Sequence, residues 1–146
     1  MNIAKLLKND YYLNSSISFF RLNFEKRLKF IKKKNFLFSE ISNFINNCID
    51  NSKSIFIFCA GNSLISKNIK SDKIFIKEID QKYEIKHNTN IHYTNEIQHK
   101  EISECDTVLI ADIEHQSNPT SNLLNLSKII KDDAKIIILS KNLIWM

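Results

Sequence analysis

Residues 54–66, SIFIFCAGNSLIS, decide how this chain is read. An apolar run over 55–58 stops just before the single glycine of the sequence, Gly61, and a polar segment opens straight after it. A lone glycine at the end of an apolar run marks a turn that needs positive φ, or a place where backbone must come close to something else. A plain tight turn satisfies the same residue. The single proline, Pro119, has a matching position in ADIEHQSNPTSNLL (111–124), just after another apolar run.

Working outward, five short apolar runs follow one another: IFIF (55–58), KIFI (73–76), IHY (91–93), TVLIA (107–111) and IIIL (136–139). They are rich in Ile, Val and Phe, and all but IHY lack polar alternation, as in strands covered on both faces. Between the last two lies TSNLLNLSKIIKDD (120–133), with Leu123, Leu126, Ile129 and Ile130 at helical spacing. Asn118 followed by Pro119 supplies its start, a capping side chain and then a proline in the first turn. Strand and helix in alternation predict a parallel sheet with right-handed crossovers.

Residues 1–51 read as a helical segment packed on the domain, and 52–146 as the α/β core. Ser39 is expected to cap a helix with Ile41, Phe44, Ile45, Cys48 and Ile49 on one face. Upstream, Ile17, Phe20, Phe24, Leu28 and Ile31 share a face; Phe19, Leu22 and Phe30 lie on the other side among Arg21, Lys26, Arg27 and Lys29. That basic helix could lie on an anionic membrane, aromatic side down. Packing by its apolar stripe, with the lysines in water, accounts for the same pattern.

At 146 residues, 43% hydrophobic and 25% charged, the chain has the proportions of one globular domain. A net charge of +5 admits nucleic-acid or anionic-surface partners. Much of the lysine is spread along the sequence, however, as on a solvated surface, and no basic-aromatic repeat supports a nucleic-acid partner. Cys48, Cys59 and Cys105 are odd in number and widely spaced, so no disulfide framework is expected. No signal peptide is read at the N-terminus, and no apolar run approaches the roughly 18 residues a membrane span needs. The expected compartment is the cytoplasm. His87, His92 and His99 lack metal-ligand spacing, and no metal is expected.

In a parallel sheet, ligands bind beyond the carboxyl ends of the strands. Gly61 closes the first strand there, and Glu78 closes the second, 17 residues later. An acid about 20 residues past such a turn can accept hydrogen bonds from a ribose hydroxyl. The loop reads CAGNSL, which lacks the G-x-G-x-x-G cradle of a pyrophosphate, and no GxxxxGK[ST] occurs. An adenosine without phosphates is the ligand such a loop holds most readily.

Residues 55–142 resemble the cofactor-binding half of a class I S-adenosylmethionine-dependent methyltransferase. FCAGNS resembles its strand-one glycine loop, FIKEID its strand-two acid motif, and ECDTVLIADIEHQSNPTSNLLNLSKIIKDDAKIIILSKN its fourth strand, Glu-His loop, helix and fifth strand. The resemblance implies a three-layer Rossmann-like α/β fold with a mostly parallel five-stranded sheet in the order 3-2-1-4-5, preceded by N-terminal helices. It implies S-adenosyl-L-methionine as cofactor, held by Cys59, Ala60, Gly61, Asn62, Glu78, Ile79, Ala111 and Asp112. The family's sixth and seventh strands are expected to be missing here.

Methyl transfer needs chiefly alignment, and a general base only where the acceptor must lose a proton. His115, after Glu114 at a strand end, is the candidate base; packing or capping a turn would suit it equally. Tyr11 and Tyr12 are placed over the cofactor by the resemblance, or in the core by ordinary aromatic packing. Cys59 reads as a small loop-lining residue rather than a nucleophile. The acceptor, of small-molecule, lipid or sugar type, is not specified by these residues. A second reading is a non-catalytic relative acting as an interaction module, with the fifth strand and the apolar tail 143–146 as an edge for self-association.

Overall fold

The computed structural model describes residues 11–49, 52–61, 63–85, 89–94 and 99–140. Five strands, β1 (Ser54–Cys59), β2 (Lys73–Glu78), β3 (Ile91–Tyr93), β4 (Thr107–Ala111) and β5 (Lys135–Ile138), form one sheet in the order β3-β2-β1-β4-β5. Every pairing is parallel. The central runs, β1 and β4, are covered on both faces; β5, expected to be so as well, stands at the sheet edge with Ile136 and Ile138 exposed among the described residues. Along β1, Ile55, Ile57 and Cys59 join one core cluster, while Phe56 and Phe58 join the other. Each fully buried Ile or Phe contributes roughly 1.5–3 kcal/mol relative to exposure, which fixes the register against a one-residue slip.

Register also sets where chemistry can occur. Cys59, the last residue of β1, lies level with Glu78 of β2 and Ala111 of β4. Order reverses beside β1, so the crevice between the ends of β1 and β4 is the topological switch point of this sheet.

Three helices precede the sheet: α1 (Asn14–Leu22), α2 (Phe24–Lys33) and α3 (Asn35–Ile49). One residue separates each from the next, Asn23 (φ −104°, ψ 17°) and Lys34 (φ −104°, ψ 21°), and the chain bends at both. Asn23 N–H donates to Phe19 O at 3.0 Å and Lys34 N–H to Phe30 O at 3.0 Å; Arg27 and Phe38 N–H groups bond back to Asn23 and Lys34. The three form a bent rod. Ser39 therefore does not open a helix; it lies inside α3, because nothing between Lys34 and Ser39 interrupts helical backbone. The buried row of α3 is Phe38, Ser42, Ile45 and Ile49, and Phe44, expected inward, is 59% exposed. Ser42 is tolerated within that row because its hydroxyl donates to Phe38 O at 2.8 Å and to Ile65 O at 2.7 Å. Upstream the inward stripe holds: Phe20 and Ile31 are buried, with Ile17 and Phe24 packed against the same core as Phe20.

Two short helices complete the layers, α4 (His99–Ser103) and α5 (Pro119–Ser127). At α5 the Asn118 carboxamide oxygen accepts from Ser121 N–H at 3.0 Å, with Pro119 in the first turn, as its sequence dictates. The segment directly after Gly61 forms no α-helix. The chain makes a 3-10 turn over Ser63–Asn68, where Ser63 bonds the Tyr83 carbonyl.

Candidate functional site

Gly61 has φ +69°, the left-handed region, so the turn after β1 needs glycine on backbone grounds. Its N–H donates to Glu78 Oε1 at 2.6 Å, and Ile79 N–H donates to the same oxygen at 2.8 Å. The Cys59 thiol reaches Oε2 at 3.2 Å. The expected glycine and acid are thus brought into direct contact. Burial lifts the Glu78 carboxyl to about 7, against the pull of those backbone hydrogen bonds.

At the end of β4, Asp112 is fully buried. Its Oδ1 accepts from Gln116 Nε2 at 2.9 Å and from the Tyr11 hydroxyl at 3.3 Å; Oδ2 has no hydrogen-bond partner among the described residues. Burial raises this carboxyl to about 6, with the hydrogen bonds from Gln116 and the tyrosines opposing. Ala60, Ile79 and Ala111 are buried around the same strand ends. Asn62 lies outside the described residues.

The crevice is roofed by the chain itself. Residues 11–13 run across the strand ends: Tyr12 bridges antiparallel to Gln116, and Leu13 N–H donates to His115 O at 2.9 Å. The Tyr12 hydroxyl donates to Cys59 O at 3.0 Å, and Tyr11 stacks on Phe58 with ring centroids 5.2 Å apart. Phe20 of α1 then settles on the glycine. A Cβ on Gly61 would stand 2.6 Å from Phe20 Cε1 and 3.2 Å from Arg27 Nε. The Arg27 guanidinium lies 4.4 Å from the centre of the Phe20 ring, and the Tyr83 hydroxyl bonds the Phe20 carbonyl at 2.7 Å. Arg27 Nε is buried with no hydrogen-bond partner among the described residues.

His115 sits at this roof's edge. Its Nδ1 is 3.2 Å from Ser16 Oγ, its Nε2 is 3.8 Å from Glu114, and its ring meets Phe20 edge-on at 5.0 Å. On its outer side Glu78 borders an open depression lined by Arg21, Lys77, Ile79, Asp80 and Gln81, with Arg21 and Asp80 bridged at 2.7 Å.

Sequence reading brought Gly61, Glu78 and Asp112 to one end of the sheet but missed Phe20, Arg27 and Gln116 as parts of the site. Phe20 carried a signal, its place on the inward stripe, without an indication of what it would meet. Gln116 carried only its spacing of four from Asp112. Cys48, Cys59 and Cys105 form no disulfide with one another. Among the described residues no His, Cys, Asp and Glu side chains gather as a metal-binding group. No family model, no curated protein and no solved structure matches the chain.

Proposed function

We propose that this chain binds S-adenosyl-L-methionine at the carboxyl ends of β1, β2 and β4, as the cofactor-binding part of a methyltransferase. The observation that carries the reading is the Gly61–Glu78 pair: a positive-φ glycine and a buried carboxylate in contact at the switch point of a 3-2-1-4-5 sheet. A ribose needs an acceptor of this kind. Two orphaned polar atoms flank the place, a donor on Arg27 and an acceptor on Asp112, and a ligand with a carboxylate and an ammonium group would satisfy both.

The polar groups suit such a cofactor, but the space does not while Phe20 stands on Gly61. Binding therefore requires the Phe20 side chain to withdraw, and the closed arrangement competes with the ligand. When bound, the cofactor supplies an activated methyl group. What the chain supplies is grip through Glu78, a side-chain-free approach at Gly61, and exclusion of water by Tyr11 and Tyr12. His115 is the candidate to take a proton where the acceptor must lose one.

Isothermal titration with S-adenosylmethionine tests this reading. Binding is expected for the wild type, with Glu78→Gln weaker by about tenfold, the loss of one charge-assisted hydrogen bond. Absence of heat and of any thermal shift at millimolar cofactor would overturn it. The second reading, a non-catalytic module, is favoured by one observation: the Glu78 carboxylate is already satisfied by Gly61, Ile79 and Cys59.

A further inference from the structure

The outer side of the α1–α3 rod carries large apolar side chains that stay exposed, although Phe19 also meets Phe20 edge-on at 5.7 Å. Phe19, Leu22, Lys26, Phe30, Lys33 and Leu37 follow one another at steps of three or four, which places them in one row along a helix. Asn23 and Lys34, one residue at each joint, bend the helices without removing a residue from that spacing. Exposure is 50% for Phe19, 85% for Leu22, 51% for Phe30 and 49% for Leu37. The opposite side of the rod is buried, Phe20 in one core cluster and Ile31 and Phe38 in the other. An apolar row left exposed among the described residues, on helices whose other side is buried, suits an interaction face.

Charge identifies what it meets. Residues 19–37 hold seven basic side chains and one acid, a net of +6, whereas the whole chain carries +5. The charge is not spread evenly: the rest of the molecule is slightly acidic, and all of the excess lies on this rod. A second copy of the chain would bring lysine against lysine. Single-stranded nucleic acid would want rings to stack on, but Leu22 and Leu37 offer none. Acyl chains accept leucine and phenylalanine alike, and anionic headgroups accept the lysines between them.

We propose that this row docks the protein on an anionic lipid bilayer, lying in the interface with Phe19, Leu22, Phe30 and Leu37 among the upper acyl carbons. No helix of the described residues is long and apolar enough to cross a membrane, so the contact is lateral. The proposal does not rest on the cofactor reading; a failed titration with S-adenosylmethionine leaves it standing.

Flotation with vesicles tests it, using phosphatidylcholine alone and phosphatidylcholine with phosphatidylglycerol. The wild type is expected to float only with the anionic vesicles, and to be released by high salt. Lys26→Glu combined with Lys33→Glu should lower partitioning by about tenfold or more. Leu22→Ser with Phe30→Ser should lower it comparably, by about tenfold, through lost apolar burial. All four side chains are exposed, and matching urea-unfolding midpoints would show the fold intact. No flotation at low salt, equal flotation with neutral vesicles, or unchanged flotation of both variants would overturn the proposal. So would a dimer dissolved by the Leu22→Ser, Phe30→Ser variant, or RNA binding in place of vesicle binding.

Discussion

At the amino end of β4, Asp106 accepts from the N–H groups of Lys53 and Ser54 at 3.0 and 3.2 Å and pairs with the Lys131 ammonium at 2.8 Å. It is partly exposed, and the Lys131 hydrogen bond holds its carboxyl below the ordinary aspartate range. At the other end of the same sheet, Glu78 and Asp112 are buried and raised to about 7 and about 6. The first acid ties β1 to β4 and is stabilised by its partners. The other two are held where ionisation is costly. Buried acids with raised pKa values at a switch point are what the proposed site reading expects, and a structural clasp like Asp106 is not.

The largest effect should come from Gly61. Gly61→Ala combines a positive φ with a Cβ 2.6 Å from the Phe20 ring, and is expected to cost about 2–5 kcal/mol from backbone strain and overpacking together. Urea unfolding measures it. Phe20→Leu in the same chain should recover part of that loss, because the contact is removed while the strain stays. A cycle with no coupling would mean that Phe20 is not seated on the glycine.

The next effect separates the two ends by pH. A carboxyl raised on folding holds its proton more tightly in the folded chain, so stability falls as pH rises through the window. For Glu78 that window runs from 4.5 to about 7, and for Asp112 from 3.8 to about 6. Glu78→Gln should remove a loss on the order of 3 kcal/mol over its window. Adding Asp112→Asn should remove a second loss of similar size. Unfolding curves collected from pH 4 to pH 8, roughly the span of these windows, would show the wild type descending and the double variant nearly level.

Asp106 should behave oppositely and more weakly. Its carboxyl is lowered, so its contribution is present above the ordinary aspartate value and is lost as pH falls through the folded one. Asp106→Asn is expected to cost about 1 kcal/mol at neutral pH, since the Lys131 pair is solvent-screened and the backbone bonds can survive in part. That deficit should vanish in acid. A deficit that persists at low pH would mean that its packing, not its charge, matters.

The fold was legible because its cues are local. Short unbroken Ile and Phe runs favour strands, and Asn118 with Pro119 favours a helix start, although the exposure of β5 at the sheet edge was not legible in its Ile run. The joints of the N-terminal rod were less legible: Ser39 is a good cap by type, but a capping residue does not stop a helix that already runs through it. Of the site, Gly61 and Glu78 could be read because backbone demands and strand ends leave marks in sequence. The seat of Phe20 on Gly61 could not, since it joins residues 41 apart and depends on how the rod closes over the sheet. The uneven charge was present in the sequence throughout, and became meaningful once the outer row of the rod was seen to be bare.

Affinity for S-adenosylmethionine, compared between the wild type and Phe20→Leu by titration calorimetry, tests most directly whether the crevice over Gly61 is a ligand site held shut by α1. Phe20→Leu should bind more tightly, by about threefold to tenfold, as a competing closed state is weakened. Two titrations without heat, on folded protein, would leave Phe20 as core packing and the crevice without a ligand.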